Sequence, residues 1–138
     1  MESAENTKVV QEAYAAFFRR DIPGLMALIA DNVEWIGVYG AGPHVPMSGV
    51  RHGKPAIGEF FKQVAENVDF TTFEPKEFIT TGDKVVALGH YAANTPAKKS
   101  FDSDFAMVFT IQNGKITRFQ EFNNATALNE AYRVGAAA

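Results

Sequence analysis

The spacing of apolar residues changes at Asp69, and that change constrains the fold more than any other feature of the chain. Before it, apolar residues recur every three or four positions, the spacing of one helix face. Val9, Val10, Ala13, Tyr14, Phe17 and Phe18 form such a stripe between Thr7 and Arg20, with Asn6 or Thr7 as the cap. Asp21 caps a second helix, Pro23 fits its first turn, and Leu25, Met26, Leu28 and Ile29 make its buried side. Residues 32–39 alternate and read as a strand, and Pro55 then opens a third helix with Ile57, Phe60, Phe61 and Val64 on one face. After Asp69 the period is two, as in a pleated strand. Strands are expected at about 70–80, 84–94, 102–112 and 115–123, parted by turns at Gly82-Asp83, Thr95-Pro96 and Asn113-Gly114. A short helix over 125–132 closes the pattern. Helices first and hairpins afterwards make an α+β fold rather than a parallel βαβ array.

A chain of 138 residues fits a single domain, 1–138, with one core, and its twelve Phe residues make that core aromatic. The net charge is −3 with no Lys/Arg cluster, which argues against nucleic acid as a partner. Cysteine is absent, so neither a disulfide nor a thiolate metal site is available. His44, His52 and His90 show no local metal-ligand spacing, and no metal is expected. There is no dinucleotide or phosphate-loop motif, so no organic cofactor is expected either. No apolar run approaches the ~18 residues of a membrane span, and the polar, acidic start is unlike a secretory leader. A cytoplasmic protein is the expectation.

Asn113-Gly114 is a strong two-residue hairpin signal and fixes a register. Gln112 pairs with Lys115. Counting on by two puts Thr110 opposite Thr117, Val108 opposite Phe119, Ala106 opposite Glu121, and Asp104 opposite Asn123 on one face. The other face carries Phe105, Met107, Phe109 and Ile111 opposite Phe122, Gln120, Arg118 and Ile116. Periodicity alone buries the second, greasier face. If both faces are covered, that face is instead a subunit interface.

Three strings, VVQEAYAAFFRRDIPGLMALIADNVEW, GVRHGKPAIGEFF and FAMVFTIQNGKITRFQEFNNATAL, together with the order of elements, resemble the nuclear-transport-factor-2-like superfamily. Within it they resemble the SnoaL-like and ketosteroid-isomerase-like proteins. The resemblance implies a cystatin-like, cone-shaped α+β barrel: three N-terminal helices on a strongly curved antiparallel sheet whose concave face lines a pocket. Ketosteroid isomerases use two Asp residues and a Tyr. Matched to their pattern, this chain has Gly37 and Ala106 at the Asp positions and keeps only Tyr14. Matched to the limonene-epoxide-hydrolase branch, it has Glu121 at one Asp position and His90 at the other. Leu88 stands at the Arg position, Trp35 at the Tyr and Gly37 at the Asn. That alignment puts His90, Ala106, Glu121 and Asn123 on the concave side with Trp35. It leaves Phe105, Met107, Phe109 and Phe122 on the convex side, to be covered by a second copy in a homodimer.

The resemblance therefore nominates His90 and Glu121 as an acid–base pair, with Tyr14 as a hydrogen-bond donor. Each has a plain structural alternative: a satisfied core histidine, a structural carboxylate and a core tyrosine. Trp35, Tyr39, Asp104, Asn123, Phe119 and Val108 complete the expected substrate contacts, although for Asp104 and Asn123 the pattern itself favours a plain cross-strand polar pair. The long segment 40–53, rich in Gly and Pro, is expected to be a mobile loop over the pocket mouth. The function implied is a cofactor-independent isomerase, cyclase, dehydratase or hydrolase acting on a small apolar molecule. The alternative is a non-catalytic ligand-binding or dimerisation module of the same fold.

Overall fold

The computed structural model describes residues 2–38 and 41–133. The elements run α1 (Glu2–Phe18), α2 (Ile22–Met26), β1 (Ile29–Gly37), β2 (Gly49–His52), α3 (Lys54–Asn67), β3 (Asp69–Thr81), β4 (Lys84–Asn94), β5 (Ser100–Gln112), β6 (Lys115–Phe122) and α4 (Ala125–Tyr132). The change of period at Asp69 is thus where α3 gives way to the antiparallel run β3–β6. No described helix is long and apolar enough to cross a membrane.

Local chemistry sets the early boundaries. Arg20 takes a left-handed conformation, φ 61°, and its N–H donates to the Phe17 carbonyl while the Asp21 N–H donates to that of Ala16. This pair of bonds closes the end of α1. The Asp21 carboxylate accepts the Gly24 N–H at 2.9 Å and caps α2. That helix is shorter than its apolar stripe suggests, because Ile29 pairs with Ile116 and the Leu28 carbonyl accepts the Ile116 N–H. Segment 40–53 is not all loop: Gly49–His52 is a strand paired antiparallel with β1.

One six-stranded sheet results, in the order β2-β1-β6-β5-β4-β3, with only β1–β6 parallel. It curls around the helices, and α1 and α3 fill its concave side. Gly89 of β4 shows how tight the curl is. A Cβ there would lie 2.1 Å from the Glu74 carbonyl oxygen and 2.6 Å from the Phe105 ring.

The sheet faces differ from the alignment-based expectation. Gln112 pairs with Lys115 and Ile111 with Ile116, and then the register shifts: Thr110 faces Arg118, Phe109 faces Phe119, and Met107 faces Glu121. Thr117 is the extra residue of a β-bulge, which turns every later side chain of β6 to the other face. Phe105, Met107 and Phe109 consequently lie in the core, 3–6% exposed, and cannot form a convex dimer seam. Of that row only Phe122 faces outward, at 41% exposure. The energetic reason is direct. Burying each large apolar side chain is worth ~1.5–3 kcal/mol, so three of them outweigh one disrupted ladder bond.

Gly89→Ala is expected to lower unfolding free energy by roughly 2 kcal/mol or more, from overpacking against backbone that has nowhere to move. Urea denaturation followed by Trp35 fluorescence measures it. A change below ~0.5 kcal/mol would mean that β3 and β4 approach each other less closely than described.

Candidate active site

A cavity of about 100 Å³ lies between the helices and the concave face. Its wall is almost wholly apolar, with rings from Phe17, Trp35, Phe60, Phe73, Phe101, Phe109 and Phe119 among others. The polar groups on it are few: the Glu121 carboxyl, the Tyr14 and Tyr91 hydroxyls and the Trp35 indole.

Glu121 is 6% exposed and is brought inward by the Thr117 bulge. The Tyr91 hydroxyl donates to its Oε2 at 2.5 Å, and the Asn123 Nδ2 donates to the same oxygen at 3.1 Å and to the Tyr91 hydroxyl at 2.6 Å. Both bonds fall on Oε2, so Oε1 has no hydrogen-bond partner among the described residues. Burial raises the carboxyl from its ordinary 4.5 to about 7, and the bonds from Tyr91 and Asn123 pull against that rise. Burial, and then the charge of Glu121, raise both tyrosines well above the usual phenol range.

Two donors on the wall are poorly used. The Tyr14 hydroxyl donates to the Met107 sulfur at 2.9 Å, a weak acceptor. The Trp35 Nε1–H is buried with no acceptor among the described residues, its ring stacked on Phe119 with centroids 4.1 Å apart. The Asn123 Oδ1 is likewise buried without a hydrogen-bond partner among the described residues.

His90 is not in this cavity. Strand parity turns it to the outer face, where Nδ1 lies 2.8 Å from Asp104 Oδ1 and Nε2 3.7 Å from Asp102 Oδ1. The pair His90–Glu121 is therefore divided by the sheet, and Tyr91, the next residue, is the one that meets Glu121. Asp104 and Val108 are also on the outer face, for the same reason of parity, so neither lines the cavity, and Asp104 does not meet Asn123. Tyr14, Trp35 and Phe119 do line it, Asn123 supports it from behind Glu121, and Tyr39 lies outside the described residues. Sequence reasoning missed Tyr91. Its signal was the apolar alternation Val85, Ala87, Tyr91, Ala93 along β4, all buried.

Two features of the first half of the chain shape the wall. A Cβ on Gly37 would lie 2.5 Å from the Met47 carbonyl oxygen and 2.8 Å from the Phe60 ring, so this position has no room for a catalytic carboxylate. Residues 41–53 form a fastened wall instead of an open loop. Val45 and Met47 are buried, and Arg51 donates to the carbonyls of Pro46, Met47 and Ser48 while lying over the Phe60 ring.

The SnoaL-like domain matches residues 10–119 of the chain. No functionally curated protein is similar to it. Solved structures are. An NTF2-like protein from Burkholderia xenovorans LB400 is 28% identical with a TM-score of 0.86, covering 95% of this chain and 98% of that one. An NTF2-like protein of unknown function from Burkholderia pseudomallei K96243 is 27% identical with a TM-score of 0.85, covering 94% and 98%. TerC co-crystallized with polyporic acid is 28% identical with a TM-score of 0.80, covering 93% and 98%.

The raised Glu121 gives a signed pH dependence. Between about 4.5 and 7 the folded carboxyl keeps a proton that the unfolded one gives up. Its contribution to stability is full below the lower value, falls as pH rises, and is gone above the higher one. Relative to Glu121→Gln, the wild type is expected to lose about 3 kcal/mol from pH 4 to pH 8. Urea unfolding of both proteins at each pH measures it. Parallel pH profiles would show that the carboxyl is solvated.

Proposed function

The chain belongs to the SnoaL-like domain family, and from that premise we propose that it is a cofactor-independent acid–base enzyme, moving a proton on a small apolar molecule held in the cavity. One observation carries this reading: among the described residues a single carboxyl, Glu121, stands in a cavity walled by aromatic rings with one oxygen left unpartnered. A group that titrates near neutrality takes a proton and returns it with equal ease.

Isomerisation suits these groups best. Tyr91 and Asn123 hold Oε2, which aims Oε1 at the ligand. Ionised Glu121 takes a proton from a carbon beside a substrate carbonyl, and the electron pair moves onto the carbonyl oxygen. That oxygen gains a bond from the Tyr14 hydroxyl, which gives up only a thioether, or from the free Trp35 N–H. Where the substrate carries a carbon–carbon double bond β,γ to that carbonyl, the intermediate is a dienolate, and protonated Glu121 returns the proton to its γ carbon as the double bond moves into conjugation; no electrons are exchanged with any other group. Cyclisation, dehydration and hydrolysis would use the same carboxyl. TerC, crystallised with polyporic acid, supports small-molecule occupancy of this fold.

The outer face supports self-association. Leu88, Ala106 and Phe122 are register neighbours there, and Val86, Val108, Gln120 and Ile36 form the next row. We propose a homodimer through these rows, between the His90–Asp104 and Arg118–Glu34 contacts that flank them.

Hydrogen–deuterium exchange at carbon in a panel of enolisable aryl ketones, followed by NMR, tests the activity. Glu121→Gln is expected to slow exchange by ~100-fold or more, and Tyr91→Phe, which removes a bond to the carboxylate, to move the pH midpoint upward. Exchange by the Gln variant at the wild-type rate would refute the role given to Glu121. For the dimer, light scattering should give twice the chain mass for the wild type and the chain mass for Phe122→Asp. A monomeric wild type refutes it.

A further inference from the structure

A second concavity, a groove, lies beside the cavity between the end of α1, α2, α3 and the start of β3. The two share a partition. Phe17, Phe61, Val64, Val68, Phe70 and Phe73 line both, so one layer of side chains separates them. Phe17 is its centre, with ring centroids 6.0 Å from Phe61, 6.3 Å from Phe70 and 5.7 Å from Phe73. Behind the partition, Phe70 and Phe73 touch Tyr91, whose hydroxyl holds Glu121. The groove is one tyrosine away from the carboxyl.

The groove is also charged. Arg20 and Lys62 line it against a single Asp69, although the chain as a whole carries −3. Among the described residues neither cation has an ion-pair partner. Phe18, 47% exposed, lines the same groove. Arg20 moreover occupies a left-handed position, φ 61°, that favours glycine, so its side chain is present at a conformational cost. By contrast, segment 41–53, which gives Met47 to the cavity wall, is fastened by the bonds of Arg51.

We propose that this groove is the mouth of the cavity and that it selects amphipathic ligands, with an apolar body that enters past Phe17 and an anionic end, such as a carboxylate, that stays between Arg20 and Lys62. The proposal rests on the reading of the cavity as a ligand site and names the ligand's chemical class. Rings admit the apolar body, and unpaired cations at the rim attract the anion as it approaches.

Trp35, the only tryptophan, lines the cavity and reports occupancy by fluorescence. The test titrates the protein with para-butylbenzoate and with para-butylbenzamide, its neutral isostere. The wild type is expected to bind the benzoate roughly fivefold more tightly at low ionic strength, the sum of two exposed ion pairs. That preference should vanish in Arg20→Gly/Lys62→Gln and in high salt, with amide binding unchanged. Arg20→Gly relieves the backbone, so the variant's Tm should not fall, which separates loss of selection from loss of fold. Amide and benzoate binding equally well to the wild type would overturn the selection while leaving the cavity reading intact. A preference that survives the double variant would place the mouth elsewhere. Binding of neither compound would overturn the cavity reading, and this proposal with it.

Discussion

The inner face of β5 has to be dry. Phe105, Met107, Phe109 and Ile111 stand in one row on it, and no arrangement of the chain that left them in water would recover the conformational entropy of folding. Helix α1 supplies the cover through Val10, Ala13 and Tyr14, and β6 must then present its own apolar residues to the same side. Ile116 and Phe119 are three positions apart, an odd spacing that a regular strand cannot place on one face. The bulge at Thr117 reconciles them, and its by-product is chemical: the residue two places beyond Phe119 is Glu121, which the reconciliation carries indoors.

A carboxyl drawn inside by packing is expensive unless it finds partners or keeps its proton. Glu121 does some of each. Tyr91 and Asn123 stabilise the ionised form, and burial opposes it more strongly, which leaves the group balanced near neutrality. The balance depends on incompleteness: were Oε1 also hydrogen-bonded, the carboxylate would settle into a fixed charge with nothing to offer a ligand. The same incompleteness marks Trp35 Nε1 and the thioether-bound Tyr14 hydroxyl. Buried polar groups left unsatisfied in an otherwise well-packed core call for an explanation, and under the proposed function a ligand's atoms supply it.

Much of this was legible in the chain itself. Helix α4 follows its predicted limits, and Asn113 and Gly114 both take positive φ, 54° and 75°, as the hairpin signal requires. The apolar row of β5 announced its own burial, and periodicity was the better guide to the faces than alignment to relatives. The bulge was not legible, because an extra residue in a strand carries no local signature and Thr117 is an ordinary strand residue. Its omission shifted the expected partner of Glu121 by one residue on β5, and the alignment-based choice of face set His90 in the place that Tyr91 holds. Strand β2 was hidden for a different reason. Gly49–His52 is too short to show alternation, and only its pairing with β1 defines it.

The parallel pairing of β1 with β6 bears on how the molecule assembles. Strands β3 to β6 are joined by successive hairpins, whose contacts close short loops, whereas Glu34 and Arg118 meet across 84 residues. Contact order makes the meander the part expected to form early, with β1 docking onto its edge afterwards. Trp35 rides on β1 and stacks on Phe119, so the last seam to close is also the one that completes the cavity wall. In a cell, a chain paused before that docking would show a four-stranded sheet with the bare edge of β6 and an uncovered Glu121. That species would be open to strand addition from another chain, and its lifetime, more than the stability of the finished fold, would govern how often the protein aggregates.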